Sequence, residues 1–249
     1  MRFLLAAALV ATPAGAVAFD LQGHRGARGL APENTLAGFA ATLSLGVSTL
    51  ELDLAMTRDG VVVVSHDPAL NPDLTRDASG AWLTRAGPVI HELTFAEAVA
   101  DEIGKAGVVE RTTVQSFDWR SLVHLRRLAP EIATACLTVE QSWLDNLERG
   151  RPGASPWTAG LDIDGHGSTP RLVQAAGCAV WSPFFRELTA ESLAEARDLG
   201  LTVIPWTVND QADMARLIEM GVDGLITDRP DLAREAMARA GLRLPPARP

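Results

Sequence analysis

Short apolar runs alternate with amphipathic stretches along most of the chain. From residue 107 onward Thr112–Gln115 precedes Arg120–Leu128, and Ile132–Leu137 precedes a helical stretch near Val139–Leu147. After a Gly/Pro-rich loop, a strand-like Ala159–Ile163 precedes a helix from Thr169 to Ala176. Ala179–Trp181, Ala190–Leu199, Thr202–Trp206, Ala212–Met220, Gly224–Ile226 and Leu232–Ala240 continue the alternation. Strand-length runs separated by helices predict parallel pairing with right-handed crossovers. Thr189 with Glu191, and Asn209-Asp210 before Gln211, mark helix starts, while Gly177, Gly200, Gly221 and Gly241 mark stops. A closed barrel and an open doubly wound sheet both satisfy this pattern. No Gly-x-Gly-x-x-Gly turn follows a strand, which weighs against a dinucleotide-binding sheet.

The first third is organised differently. Leu21–Gln22 is a short strand ending at Gly23-His24-Arg25-Gly26, and Pro32-Glu33-Asn34-Thr35 caps a helix through Leu45. Ser48–Leu54 is a second strand. Val61–Ser65 is a third run, reached through the turn Thr57-Arg58-Asp59-Gly60, whose Asp-Gly pair predicts a hairpin. Polar and ionisable residues gather at the ends of these strands, where parallel α/β folds place their chemistry.

Composition adds compartment and partners. Arg2, the apolar run Phe3–Val10 and the small residues Ala14-Gly15-Ala16-Val17-Ala18 read as a secretory signal peptide over residues 1–18. The run is shorter than the ~20 residues a spanning helix needs, so no stable membrane anchor is expected. One domain over 19–249 follows, in a periplasmic or secreted location. The net charge of −9 gives an acidic surface that repels nucleic acid and anionic membrane, so neither is expected as a partner. Positive charge for an anionic substrate must then be local. Cys136 and Cys178 either pair in an oxidising compartment or are two buried thiols. The oligomeric state is left open.

Glu51 and Asp53 stand two apart on a strand, so both point to one face. Two carboxylates aimed into one space repel unless a cation or proton lies between them. Oxygen-only ligands select a hard divalent cation, Mg²⁺ or Ca²⁺. The competing arrangement is a carboxylate paired with an arginine at a barrel end. His24 and His66 end adjacent strands and suit a proton acceptor and donor, since imidazole titrates near neutrality. Arg25 offers a planar, permanently charged fork for a phosphate.

These residues resemble the glycerophosphodiester phosphodiesterases. The likeness rests on His24-Arg25-Gly26, Pro32-Glu33-Asn34-Thr35, Glu51-Leu52-Asp53, Thr57-Arg58-Asp59-Gly60 and Ser65-His66-Asp67, in order and spacing. Gln115-Ser116-Phe117-Asp118, Pro205-Trp206-Thr207-Val208-Asn209 and Gly221 to Pro230 extend it over nearly the whole mature chain. The resemblance implies a TIM-type (β/α) barrel that hydrolyses glycerophosphodiesters, as small-molecule substrates, to glycerol 3-phosphate and an alcohol. It implies His24 and His66 as the acid–base pair, Glu51 and Asp53 as ligands of Mg²⁺ or Ca²⁺, and Arg25 as a phosphate contact. Glu33, Asn34 and Trp206 shape the substrate pocket in the same reading.

The chain departs from the family between Val89 and Gly107. Family members place there a third βα unit ending in a Glu-x-Lys motif that supplies a third metal ligand and a lysine. Here Leu93-Thr94-Phe95-Ala96-Glu97 runs directly into a helix, Ala98–Ala106, so the barrel is expected to be missing or altered around its third unit. Asp118, Asp162, Glu92 and Glu97 are the available substitutes for the missing ligand. Two functions fit this site: hydrolysis with a reduced ligand set, or a non-catalytic or degenerate barrel that binds glycerophosphodiesters without turnover.

Overall fold

The computed structural model describes residues 18–56, 62–67, 69–75, 79–85 and 95–248. The leader, the turn Thr57–Gly60 and Glu92 lie outside the described residues.

Backbone pairing builds one continuous parallel array. Strand β1 (Asp20–Gly23) lies between β2 (Thr49–Leu50) and β11 (Gly224–Thr227), parallel to both. A second set runs β5 (Thr113–Ser116), β6 (Ala133–Thr138), β9 (Val180–Pro183) and β10 (Thr202–Val203), again all parallel. The sets join where Asp223 N donates to Val203 O and Ile226 N to Pro205 O, each at 3.0 Å. The order is therefore β5-β6-β9-β10-β11-β1-β2, a TIM-type barrel wall of seven strands among the described residues. Between β2 and β5 the described residues add no further strand to this parallel wall.

Helices pack outside this wall for the reason the sequence pattern suggested. In α3 (Trp119–Leu128), α5 (Thr169–Ala176), α7 (Gln211–Met220) and α8 (Pro230–Arg239), apolar residues recur on one face and are buried. Trp119, Leu172, Met214 and Met237 meet the strand residues Leu21 and Leu225 in one core. Starts are capped by side chains: Thr35 for α1 (Leu36–Leu45), Asp118 for α3, Ser168 for α5, Thr189 for α6 (Ala190–Asp198) and Asp210 for α7. The C-terminal tail returns to α1, where Arg248 N donates to Leu43 O at 2.8 Å. Arg234 Nη1 stitches Gly46 O and Pro245 O at 2.6 and 2.7 Å. Cys136 on β6 and Cys178 ahead of β9 form a disulfide.

Three elements differ from the sequence reading. The second strand is only Thr49–Leu50; Glu51–Asp53 leave the ladder, and Leu54–Met56 (β3) pairs antiparallel with Val62–Val64 (β4). Val139–Leu147 is a hairpin, β7 (Glu140–Gln141) with β8 (Leu144–Asp145), rather than a helix. The amide of Asn146 closes it by accepting from Val139 N and donating to Leu137 O and Phe117 O. Ala159–Ile163 is a turn running into α4 (Ile163–His166), because Ala159 and Gly160 take φ of 56° and 88°, which no strand accommodates. The helix read at Ala98–Ala106 is present as α2 (Phe95–Ala106).

Candidate active site

The loop after β1 bends sharply to enter the barrel mouth. Arg25, Gly26 and Ala27 have φ of 49°, 73° and 59°, and Asn34 has 55°. A non-glycine residue held left-handed costs about 1–2 kcal/mol, so this loop carries strain next to the site. What it gains is geometry: the turned Arg25 N–H donates to Glu51 Oε2 at 2.9 Å. A Cβ at Gly26 would meet Phe39 at 2.9 Å, so the bend is built around glycine there.

Glu51 and Asp53 converge as expected, although they follow a strand instead of forming one. Glu51 is buried; Oε1 accepts from Gln115 Nε2 at 2.9 Å, and Oε2 lies 4.0 Å from His24 Nε2. Burial pushes its carboxyl above the ordinary range, and the charge of Asp53 adds to this against the lowering pull of His24 and Arg25. Asp53 Oδ2 stands 3.1 Å from Arg25 Nε, off the hydrogen-bond direction. Arg25 Nη1 meets Glu33 Oε1 and Oε2 at 3.2 and 3.3 Å. The arginine is thus buried among carboxylates.

His24 Nδ1 lies 2.5 Å from Asp228 Oδ1. Asp228 is held by Asn209, whose Nδ2 donates to Oδ2 at 2.7 Å and whose Oδ1 accepts from Asp228 N at 2.9 Å. Burial alone would raise the Asp228 carboxyl, but the hydrogen bond and charge of His24, with Asn209 and Arg28, hold it below the usual range. His66 follows β4 and is half-exposed, with Nδ1 on Asp67 Oδ1 at 2.9 Å. Ser65 N donates to Asp53 O at 3.0 Å, which ties the His66 segment to the carboxylates.

The far wall is aromatic. Trp206, following β10, donates its Nε1 to Ser182 O and meets the rings of Phe117, Trp143 and Phe184 at centroid distances of 5.2, 6.3 and 5.5 Å. Trp143 is presented by the β7–β8 turn, so this hairpin supplies part of the aromatic wall.

The donor set fits a hard cation in its chemistry. Glu51 and Asp53 bring oxygens, and Asp53 Oδ2 and Asn34 Oδ1 are buried atoms without a hydrogen-bond partner. Among the described residues no group of three or more His, Cys, Asp or Glu is arranged for a metal ion. Of the suggested substitute ligands, Asp118 and Asp162 cap helices and Glu97 lies on α2. Sequence reasoning missed Gln115, Asn209 and Asp228. All three stand at or just beyond C-terminal strand ends inside the quoted motifs, and that position was the available signal.

The model of the glycerophosphoryl diester phosphodiesterase family matches residues 24–98 and 95–232. A glycerophosphodiester phosphodiesterase of Bacillus subtilis is 27% identical over 263 residues, covering 84% of this chain and 83% of the relative. A crystal structure of a candidate glycerophosphoryl diester phosphodiesterase from Silicibacter pomeroyi superposes with a TM-score of 0.78 at 30% identity, covering 91% of this chain and 95% of that one. An Oleispira antarctica phosphodiesterase solved with the product sn-glycerol-3-phosphate shares the fold, with a TM-score of 0.58 at 20% identity over 88% and 96% of the two chains.

Proposed function

The chain belongs to the glycerophosphoryl diester phosphodiesterase family, and we propose that it hydrolyses glycerophosphodiesters to glycerol 3-phosphate and an alcohol with His24 and His66 as its acid–base pair. The observation that carries this is the meeting of His24, Arg25, Glu51 and Asp53 at one barrel end. The glycerol 3-phosphate bound by the Oleispira antarctica phosphodiesterase supports the product side.

One histidine takes a proton from the attacking water as its oxygen bonds to phosphorus. The other protonates the leaving alkoxide as the P–O bond breaks. Arg25 contacts the phosphoryl group from within its carboxylate cluster, while Glu33 and Asn34 hold the loop that positions it and Trp206 walls the leaving-group side. Glu51 and Asp53 would hold a divalent cation, Mg²⁺ or Ca²⁺, which supplies positive charge to phosphoryl oxygens in a site otherwise dominated by carboxylates. Burial, with the neighbouring charge of Asp53, raises the proton affinity of Glu51.

A third βα unit cut short is supported by the family match, which falls into two parts meeting at residues 95–98. An oxidising compartment, periplasmic or extracellular, is supported by the Cys136–Cys178 disulfide.

The test is release of glycerol 3-phosphate from glycerophosphocholine with Mg²⁺ or Ca²⁺ and then with chelator. Turnover lost with chelator, in His24→Ala and in His66→Ala supports the reading. A folded protein that binds glycerophosphocholine without turnover overturns it in favour of a binding barrel.

A further inference from the structure

Two motifs near the C-terminus, Trp206-Thr207-Val208-Asn209 and Thr227-Asp228-Arg229-Pro230, have no part in the acid–base scheme. Their polar side chains nonetheless converge on His24. The loop after β10 brings Asn209 and the end of β11 brings Asp228. Both Asp228 oxygens are used, Oδ1 by His24 Nδ1 and Oδ2 by Asn209 Nδ2. The Asp228 N–H and the Thr227 hydroxyl both meet Asn209 Oδ1, at 2.9 and 3.3 Å. This carboxylate therefore cannot swing away without breaking its contacts to both His24 and Asn209.

We propose that Asp228, braced by Asn209, is a positioning residue that fixes His24 in the tautomer with the proton on Nδ1. The inference rests on the acid–base reading above and deepens it. A carboxylate accepts and never donates, so the short contact to Oδ1 requires hydrogen on Nδ1. The neutral ring then carries its lone pair on Nε2, the nitrogen 4.0 Å from Glu51 Oε2. Asp228 also keeps the ring in one orientation while Nε2 accepts a proton. Without it the ring is free to rotate and to populate the wrong tautomer.

A weaker copy of the arrangement serves the second histidine. His66 Nδ1 meets Asp67 Oδ1 at 2.9 Å, and Asp67 Oδ2 accepts from Asn71 Nδ2 at 2.6 Å. Each histidine thus has an aspartate on Nδ1 and an asparagine behind it. The His66 set is exposed and the Asp228 set half-buried, so water can replace Asp67 far better than Asp228.

The experiment compares Asp228→Ala, Asp228→Asn, Asn209→Ala and Asp67→Ala in the full-length protein with glycerophosphocholine, together with ¹⁵N NMR of the labelled imidazoles. Expected for Asp228→Ala is a fall in kcat of roughly 10²-fold with KM within about twofold. The His24 nitrogens should also move from a single Nδ1–H pattern to averaged tautomers. Asn209→Ala should lie between wild type and Asp228→Ala, and Asp67→Ala should lose less than about tenfold. Asp228→Asn keeps the shape; its activity loss must accompany the same imidazole change. A wild-type kcat in Asp228→Ala, or an unchanged His24 tautomer whatever happens to activity, overturns the proposal. Should the wild type hydrolyse no glycerophosphodiester, the acid–base reading fails on its own, and the NMR arm still decides what Asp228 does to His24.

Discussion

Gln115 Nε2 donates to Glu51 Oε1 at 2.9 Å, and this one side-chain contact spans from β5 to the end of β2 where the described barrel wall has no strand between them. A buried carboxylate next to Asp53 needs every donor it has. Gln115→Ala removes one, so Glu51 Oε1 loses that donor while Oε2 keeps the Arg25 N–H. Activity should fall about tenfold or more, with divalent-cation affinity reduced in parallel by calorimetric titration. Gln115→Glu should be worse at neutral pH, because it sets a third negative charge against Glu51.

Cation binding is also readable without turnover. A ligand that binds only the folded state at a hundred times its Kd stabilises by about 2.7 kcal/mol, which for a domain of this size is roughly 5–10 °C in melting temperature. Mg²⁺ or Ca²⁺ should raise the melting temperature of the wild type in this range. The rise should vanish in Glu51→Gln and in Asp53→Asn, as followed by differential scanning calorimetry.

Arg25 holds Glu33 and Asp53 at once. Replacing it with Met leaves both carboxylates without that charge in a largely buried setting, and breaking such a pair costs about 3–5 kcal/mol. Urea unfolding should show this loss. Arg25→Lys should recover only part of it, since a point charge cannot serve Nε and Nη1 positions together.

Asp228 gives a pH dependence with a definite sign. Its folded-state proton affinity is lowered, so it contributes stability above the unfolded value of about 3.9. That contribution disappears as pH falls through the folded value, because the unfolded chain takes up the proton first. Asp228→Asn should therefore flatten the acid limb of the unfolding free energy below about pH 4, measured by chemical denaturation across pH.

The disulfide closes a sequence separation of 42 residues. In the chain-entropy account that is about 4 kcal/mol. Cys136→Ala with Cys178→Ala should lower the urea midpoint accordingly, and dithiothreitol should have the same effect on the wild type.

The fold was legible in the sequence wherever a run had one dominant cause. Helices such as Thr169–Ala176 and Gln211–Met220 carry both an apolar stripe and end signals, and they form where the pattern predicts. Val139–Leu147 failed because its polar–apolar spacing suits either element, and the amide of Asn146, a tertiary contact, decides for the hairpin. At the site, the residues of the first third could be named because they are close in sequence and share motifs. Gln115, Asn209 and Asp228 act on residues 64, 19 and 204 positions away respectively, and no local pattern encodes that. Each is a polar residue at or beyond the C-terminal end of a strand.

The closeness of β1 to β11 also orders the protein's assembly in time. His24 is among the first described residues to be synthesised, and its partner Asp228 comes 204 positions later. A nascent chain can shape the loop after β1 early, but it has no Nδ1 partner for His24 until Asp228 has been made. Any fragment ending before Asp228 lacks that contact however well its helices form. Competence for the imidazole chemistry therefore requires β11 docked against β1, and the pairing that joins these two strands is also the pairing that equips the site.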